Sequence, residues 1–436
     1  MTPSLPVVIV GGGFSGAMLA ARLAERGQAS VVIDRTGDFG LGVAYSTPFE
    51  GHLLNVRSGR MSAVEARPGD FVDWLKANRP DLADPDDFAP RKVYGQYVRD
   101  RLAAVAVAHP GLIDKRIGEV GFIEADGVIL ADGARITGRA VVLATGNPAP
   151  AATTSDGGGR IITNPWAPGA LEGIGPDDDV LIVGTGLTMV DMIQVLVARG
   201  WRGRATALSR RGLMPRAHGD RPDAPATLPV EALEGEVSER LAAARRLAGP
   251  DRWREVMEAY RPITARLWAA ADLDRRARLV RHLRPWWDVH RHRIAPRIGR
   301  ALEALKAEDR LTVVPGRLGR VAQTTDGVMA HWAPRGGGSA EPLRAAWLID
   351  CTGPAHSAAT DPLTAPLIAT GRARMDALGL GLDLDPTGHV LHTDGLSDPT
   401  LFVLGPPARA AFWETIAVPD IRKRIEDVAA AVTMGA

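Results

Sequence analysis

Short apolar runs, a glycine-rich turn and a helical pattern follow one another at the start of the chain. Residues 6–10 form an apolar run rich in β-branched side chains, which is typical of a buried parallel strand. Glycine-rich residues 11–16 come next, and residues 17–26 carry apolar positions at helical spacing up to Gly27. Because residues 31–34 form another apolar run, the order predicts a strand–turn–helix–strand unit.

The same order of patterns occurs again further along the chain. Residues 179–183 predict a strand, residues 184–189 a glycine turn and residues 190–199 a helix. Each unit then leads through short strands into a similar apolar run that ends in Thr-Gly, at residues 140–146 and 347–353. We therefore predict an α/β protein with two Rossmann-like dinucleotide-binding domains.

The repeat also predicts how the chain divides into domains. We expect a discontinuous first domain formed by residues 1–155 and 345–436, and a second domain formed by residues 156–344. A helical pattern broken by prolines at about 228–306 predicts a helical insertion in the second domain.

The first glycine turn has the spacing of a dinucleotide-binding fingerprint. In this fingerprint Gly11 allows the tight turn, Gly13 lets the backbone approach a pyrophosphate, and Gly16 lets the helix lie close to the strand. The helix N-terminus supplies amide donors for the phosphates. Asp34 ends the second strand, where a carboxylate can accept hydrogen bonds from ribose hydroxyls.

The second glycine turn departs from this pattern at two places. Gly184 and Gly186 are present, but Met189 stands where a third glycine or alanine is usual. Ser209-Arg210-Arg211 ends the next strand in place of an acid. Guanidinium groups there would pair with a 2′-phosphate, which favours NADPH over NADH. NADH, and a reading of both arginines as exposed loop residues, remain open alternatives.

Cysteine and glycine contents narrow the class of redox protein. Glycine makes up 48 of 436 residues, about 11% against a usual ~7%, which fits a chain with several tight turns. Cys351 is the only cysteine, which excludes an internal disulfide, a CxxC pair and a four-cysteine zinc site. Disulfide reductases need two cysteines, so we expect the redox chemistry to come from a bound cofactor, with no metal.

The charge balance and the apolar runs exclude some partners. Lys and Arg number 52 and Asp and Glu 51, so the net charge is +1 and no global field attracts nucleic acid or an acidic membrane. No apolar run approaches the length that spans a bilayer. The start of the chain lacks the features of a signal peptide, and a cytoplasmic protein is expected.

The helical insertion carries a basic and aromatic segment at residues 286–293. We consider His290, Arg291 and Arg293 as candidate substrate-binding residues that face an anionic group near the cofactor cleft. The alternative is a basic helix edge with a satisfied histidine. A metal site is not supported, because no other His/Cys cluster has suitable spacing.

Several segments together resemble a bacterial family of FAD/NAD(P)-binding oxidoreductases with two dinucleotide-binding folds. The sequences that carry this resemblance are GGGFSG, GLGVAY, HLLNV, VVLATGNP, GTGLTMVD, SRRG, WDVHRHR and FWET. The family is related to flavin-dependent monooxygenases, and some relatives are urate hydroxylases. The FxGxxxHxxxY/F motif of several flavin monooxygenases is absent before the second fingerprint, which argues against a Baeyer–Villiger identity.

The resemblance implies FAD at the first fingerprint and NADP, or NAD, at the second. The implied cofactor-binding residues are Gly11, Gly13, Phe14, Ser15, Gly16, Asp34, Arg35, Gly42, Tyr45, Thr145, Gly146, Gly184, Gly186, Leu187, Thr188, Ser209, Arg210, Arg211, Gly353, Gly405 and Ile416. The implied catalytic residues are Asn55, Trp413 and Thr415.

A helix after the last strand is expected to point its N-terminus at the flavin, where its amides would stabilise negative charge on the reduced ring. Thr415 or Glu414 could cap this helix. Pro406 stands where an aspartate usually follows Gly405 and binds the ribityl chain, so that chain must be held differently.

The function expected from these features is oxygen transfer by a flavin monooxygenase. NADPH would reduce FAD, and a C4a-hydroperoxyflavin would hydroxylate a small polar substrate, nitrogen compounds included, with the insertion as a lid that excludes water. One alternative is a flavin reductase or dehydrogenase without oxygen insertion, and another is a non-catalytic FAD-binding redox sensor. The substrate and the oligomeric state are left open.

Overall fold

The computed structural model of the chain describes residues 5–147, 159–353 and 357–434. Its strands are β1 (Val7–Val10), β2 (Ser30–Asp34), β3 (Ile113–Ile117), β4 (Val120–Glu124), β5 (Gly127–Leu130), β6 (Arg135–Thr137), β7 (Ala140–Leu143), β8 (Ile161–Ile162), β9 (Val180–Val183), β10 (Ala205–Ser209), β11 (Leu311–Thr324), β12 (Gly327–Pro334), β13 (Leu343–Ala345), β14 (Trp347–Asp350), β15 (His389–Leu391) and β16 (Ser397–Val403). Its α-helices are α1 (Phe14–Glu25), α2 (Gly42–Tyr45), α3 (Asp70–Asn78), α4 (Arg91–Ala108), α5 (Leu187–Ala198), α6 (Val237–Ala248), α7 (Trp253–Tyr260), α8 (Thr264–Ala269), α9 (Leu273–Arg278), α10 (Arg284–Arg291), α11 (Pro296–Ala307), α12 (Ala365–Ala369), α13 (Arg409–Phe412) and α14 (Val418–Met434). A π-helical turn, Leu279–Leu283, joins α9 to α10.

The first sheet contains six strands within the described ranges, in the order β15-β16-β7-β1-β2-β3. β1 runs parallel to both of its neighbours, β2 and β7. Every residue of β1 and of β7 is buried, because α1, α4 and α14 pack on one face and the small β4-β5-β6 sheet packs on the other. The continuous apolar runs of these strands follow from burial on both faces.

The second sheet repeats this arrangement. Its seven strands in the described part of the chain have the order β13-β12-β11-β10-β9-β14-β8, with β9 parallel to β10 and β14. Helices α5 and α11 cover one face, and β12 folds over the other. The order β9-α5-β10-β14 corresponds to β1-α1-β2-β7, so the internal repeat and the predicted fold class are confirmed.

The expected domain boundary at residue 345 needs a correction. Strand β14 pairs with β9 and β8 and therefore belongs to the second sheet. β14 is the counterpart of β7 in the repeat. The chain therefore returns to the first sheet only after β14, with β15 and β16. The other expected boundary, at residues 155–156, lies outside the described residues.

The predicted helical insertion lies between β10 and β11 and contains α6 to α11. No helix among the described residues is both long and apolar enough to cross a bilayer.

Candidate functional site

The first glycine turn has the close contacts that its spacing predicts. Gly11 has a φ of 104°, and a Cβ atom there would lie 2.4 Å from the carbonyl oxygen of Ala144. A Cβ at Gly16 would lie 1.9 Å from the Gly11 carbonyl oxygen. Helix α1 begins after Gly13, which has no side chain to cap its first amides. These N–H groups therefore remain open to an anionic ligand.

Asp34 holds this turn from the end of β2. Its Oδ2 accepts a hydrogen bond from the Gly12 amide at 2.8 Å, and its Oδ1 accepts from the amide and hydroxyl of Thr36 at 2.9 and 2.7 Å. Burial alone would raise the pKa of Asp34, but these hydrogen bonds lower it below its usual value. The carboxylate stays ionised and keeps lone pairs for a ribose. The neighbouring Arg35 is exposed.

The segment after β2 folds back over the glycine turn. The amide of Gly40 donates to the Gly12 carbonyl at 2.7 Å, and a Cβ at Gly13 would meet the Gly42 Cα at 3.4 Å. The ring of Tyr45 packs edge-on against Phe14, with centroids 6.3 Å apart. The structure thus brings together four residues that the resemblance implies as cofactor-binding, Gly13, Phe14, Gly42 and Tyr45.

Two further loops meet or flank the same turn. A Cβ at Gly405 would lie 2.7 Å from the Ser15 hydroxyl, so the loop after β16 passes directly over the start of α1. Thr145 and Gly146 follow β7, the neighbour of β1, and Gly146 has no atom within 4 Å of its Cβ position. Asn55 lies elsewhere in the first unit, where its carbonyl accepts a hydrogen bond from His218 Nε2 at 3.0 Å.

Trp413 forms a tight turn that is rare for a residue with a side chain. Its φ and ψ are 59° and −60°, and the Glu414 amide donates to the Phe412 carbonyl at 2.6 Å. This is a γ-turn of the strained type. The indole is buried and stacks on Trp268 of α8 with centroids 4.6 Å apart. Trp413 therefore anchors the insertion to the C-terminal segment.

The residues after Trp413 do not cap the last helix. Glu414 accepts a hydrogen bond from the Trp287 indole at 2.7 Å. Burial would raise the pKa of Glu414, but Arg291, 3.6 Å away, acts together with His292, the Trp287 hydrogen bond and Arg409 to lower it. Thr415 is fully buried, and its hydroxyl has no hydrogen-bond partner among the described residues. The next residue, Ile416, is 40% exposed although it is apolar.

The candidate substrate residues do not form an open anionic-substrate patch. Arg291 is buried and pairs with Asp420 at 3.2 Å. Arg293 is buried and pairs with Glu258 and, at 3.3 Å, with Asp223. Buried guanidinium groups need carboxylate partners, and these pairs lock the insertion in place.

His290 is the least enclosed of the three candidates. Its Nδ1 lies 2.7 Å from the Trp286 carbonyl, and its ring packs edge-on against Trp253. This arrangement agrees with the alternative of a satisfied histidine at a helix edge.

In the second glycine turn, Gly184 makes the same kind of close contact as Gly11, whereas the space around Gly186 is open. Gly184 has a φ of 100°, and a Cβ there would lie 2.4 Å from the Cys351 carbonyl. Gly186 is exposed and has no atom within 4 Å of its Cβ position. Helix α5 begins immediately after it, at Leu187 and Thr188. Met189, in the first turn of α5, is fully buried in the core of the second unit.

Ser209 occupies the place that Asp34 has in the first unit. Its hydroxyl oxygen accepts a hydrogen bond from Thr185, a residue of the glycine turn, at 2.8 Å. Arg210 is exposed at the end of β10. Arg211 donates to the carbonyls of Arg281 and His282 at 3.5 Å. Gly353 follows β14 beside this turn and has no atom within 4 Å of its Cβ position.

A protein-family model of FAD-NAD(P)-binding domains matches the chain over the first unit. The match spans residues 8–148, about a third of the chain. This match covers the first glycine turn, Asp34 and the Thr145-Gly146 loop, and it confirms the expected cofactor class. No curated protein matches the sequence significantly.

Solved structures with the same fold align over nearly the whole chain. The cadaverine monooxygenase of Erwinia amylovora, bound to FAD, is 14% identical, with a TM-score of 0.69 over 99% of this chain and 95% of its own. The ornithine N-hydroxylase of Kutzneria sp. 744 is 15% identical, with a TM-score of 0.67 over 99% and 100%. The L-lysine 6-monooxygenase of Pseudomonas syringae is 16% identical, with a TM-score of 0.66 over 99% and 100%. At these identities the likeness establishes the fold.

Residues that sequence reasoning missed join the FAD-NAD(P)-binding domain to the second unit. Arg91 at the start of α4 pairs with Asp191 of α5 through two hydrogen bonds of 2.8 and 3.1 Å. His52 contacts the Thr47 hydroxyl through Nδ1 at 2.7 Å and the Asp191 carbonyl through Nε2 at 3.1 Å. Asp191 is a charged residue within an apolar helix, and that pattern could have identified it.

Cys351 lies behind the second glycine turn and not in an open cleft. It is buried, and burial, together with Asp350 and Asp191, raises the pKa of its thiol. A thiol of this kind is a poor nucleophile at neutral pH. Among the described residues, no group of three or more His, Cys, Asp or Glu side chains could hold a metal ion.

Proposed function

We propose that the protein is an FAD-dependent monooxygenase that takes electrons from NADPH and hydroxylates a small substrate with a primary amine. The observation that carries the proposal is the pair of matched glycine turns, one held by Asp34 and the other followed by Ser209 and Arg210. The only thiol is buried. Electrons would therefore pass between two bound dinucleotides.

The residues around the first turn fit FAD. Glycines at positions 11 and 16 stand where any Cβ would clash, and Gly13 leaves the first amides of α1 uncapped. These features suit a pyrophosphate. The unpartnered hydroxyl of buried Thr415 needs a hydrogen-bond partner, and the flavin ring offers both donors and acceptors. We propose that Thr415 holds the flavin.

The second turn fits NADPH better than NADH. A carboxylate at the strand end would repel a 2′-phosphate, and here Ser209 replaces it. Arg210 is exposed beside it and has no carboxylate partner among the described residues, so its guanidinium is available for the phosphate. Gly186 leaves open space for the pyrophosphate of this second nucleotide.

FAD, held at the first glycine turn and Asp34, would supply the redox chemistry that links NADPH to oxygen. The protein's own part is to bind both nucleotides, to hold the C-terminal segment and to exclude water. The insertion contributes to the last two tasks, because Trp268 stacks on Trp413 and Trp287 holds Glu414. Exclusion of water favours oxygen transfer over loss of the activated oxygen.

The choice of an amine substrate is supported by the neighbours. The proteins named above hydroxylate or oxygenate cadaverine, ornithine and lysine, and each aligns over at least 95% of its own length. We propose the same class of substrate for this chain, with the particular amine left to experiment.

NADPH consumption and product formation test the proposal. The FAD-loaded protein is mixed with NADPH and ornithine, lysine or cadaverine, and consumption of NADPH and gain of one oxygen atom by the amine are measured. Matched consumption and product support the proposal. Oxidation of NADPH that only reduces an added dye indicates a reductase, and no oxidation of NADPH or NADH indicates a non-catalytic FAD-binding protein.

The preference for NADPH has its own test. Arg210→Ala is expected to raise the KM for NADPH about tenfold and to leave that for NADH unchanged. Arg204→Ala, at the exposed residue that precedes the start of the same strand, is the matched control. Equal effects of Arg210→Ala on both nucleotides contradict the assignment.

A further inference from the structure

The π-helical turn of the insertion, Leu279–Leu283, lies against the segment that follows strand β10 of the second unit. Arg211, two residues after Ser209, donates to the backbone carbonyls of Arg281 and His282. Pro285 leaves the Arg281 carbonyl without a helical donor, because proline has no N–H to donate to the carbonyl four residues before it. The insertion is therefore fastened to the strand end where the 2′-phosphate of NADPH would lie.

This part of the insertion is rich in cations, and most of them already have partners. Between residues 275 and 284 four arginines contact other groups: Arg275 with Glu236 and Asp272, Arg276 with the Trp268 ring and backbone, Arg278 with Glu236, and Arg284 with Asp288.

Arg281 and His282 are different. Both side chains are exposed, and no carboxylate partner is found for either within the described residues. They belong to the one turn that Arg211 touches. Within residues 275–284, the basic residues without carboxylate partners are thus the two whose backbone carbonyls Arg211 contacts.

We propose that Arg281 and His282 complete the site for the 2′-phosphate of NADPH together with Arg210. The inference rests on the proposed function, because it assumes that the second unit binds NADPH. A phosphate offers several acceptor oxygens, and charge-assisted hydrogen bonds from two guanidinium groups, together with an N–H of an imidazole, suit it. Nucleotide specificity then depends on the insertion as well as on the strand end.

The test separates binding of the 2′-phosphate from catalysis. Adenosine 2′,5′-bisphosphate and adenosine 5′-monophosphate are titrated into the FAD-loaded protein by calorimetry. Arg281→Ala and His282→Ala are each expected to raise the Kd of the bisphosphate about tenfold and to leave that of the monophosphate within about twofold. Arg278→Ala, an exposed arginine one turn earlier that pairs with Glu236, is the matched control and is expected to change neither value.

Arg281→Lys gives a further check, because it keeps the charge and is expected to recover part of the affinity. If Arg210→Ala raises the Kd of the bisphosphate but Arg281→Ala and His282→Ala do not, this inference is overturned and the NADPH assignment stays in place. No effect of any of these variants on the bisphosphate overturns both.

Discussion

Arg91 and Asp191 form a partly buried bidentate ion pair between helix α4 of the first unit and helix α5 of the second. The same guanidinium also donates to the Leu53 carbonyl, and the Asp191 carbonyl receives His52. One cluster thus connects the segment after the first glycine turn with the helix that follows the second. It holds the two proposed nucleotide sites in a defined relation.

Asp191→Asn is expected to lower the free energy of unfolding by about 3 kcal/mol, because Arg91 would be left partly buried without a counter-charge. Urea denaturation measures the loss. The control is Asp220→Asn, which removes the partner of exposed Arg300 and is expected to cost less than about 1 kcal/mol. Equal losses in the two variants would show that the Arg91–Asp191 pair has no special role.

Thr415→Val is expected to change stability and FAD binding in opposite directions. Without FAD the hydroxyl is buried and unpartnered, so its removal should stabilise the protein by about 1–3 kcal/mol. With FAD the lost hydrogen bond should weaken binding about tenfold.

Unfolding of the FAD-free protein and titration with FAD give the two values for this variant. Thr264→Val removes a hydroxyl that does have a partner, the Tyr260 carbonyl at 2.8 Å, and is expected to lower stability and leave FAD affinity unchanged. Unchanged FAD affinity in Thr415→Val contradicts the proposed contact with the flavin.

Gly186→Ala is expected to leave stability nearly unchanged and to weaken NADP⁺ binding about tenfold. The backbone there is extended and no atom lies within 4 Å of the added Cβ, so the folded chain accepts it. A pyrophosphate close to the backbone does not. Gly336→Ala, which also has no atom within 4 Å, is the control. Calorimetry with NADP⁺ decides the question, and equal affinities in both variants argue against a nucleotide at this turn.

His218 is expected to make stability depend on pH. Burial, followed by the nearby charges of Arg293 and Arg57, lowers the pKa of His218 to about 3. The unfolded chain binds the proton near pH 6.5, so this contribution is complete above pH 6.5 and is lost as the pH falls towards 3. The loss approaches about 1.4 kcal/mol per pH unit below 6.5.

Urea denaturation of the wild type and of His218→Gln at pH 7 and pH 5 measures this contribution. The variant should lose less stability between the two pH values than the wild type does. The same substitution at exposed His331 is the control. His52, His290 and His292 also have lowered pKa values through burial, so part of the pH dependence should remain.

Local patterns predicted the parts of the site that depend on neighbouring residues. Gly11 and Gly16 lie within six residues of each other, and their spacing predicts the close contact in which a Cβ at Gly16 would meet the Gly11 carbonyl. Asp34 and Ser209 each end the strand beside a glycine turn and form a hydrogen bond with a residue of that turn. Strand β14 shows the limit of this reasoning, because the sequence contains its apolar run but not its pairing with β9. The boundary at 345 was wrong for that reason.

The amino-acid sequence alone determined the two-unit α/β fold, the cofactor class and the exclusion of dithiol chemistry, because each follows from short-range patterns or from counting. Only the tertiary structure decided what the charged residues do. Arg291 and Arg293 find partners far along the chain, Asp420 and Glu258, and become buried supports. Arg281 and His282 find none among the described residues and remain exposed. The sequence shows where a charged residue stands but does not show its partner, because ion pairing depends on which elements the fold brings together.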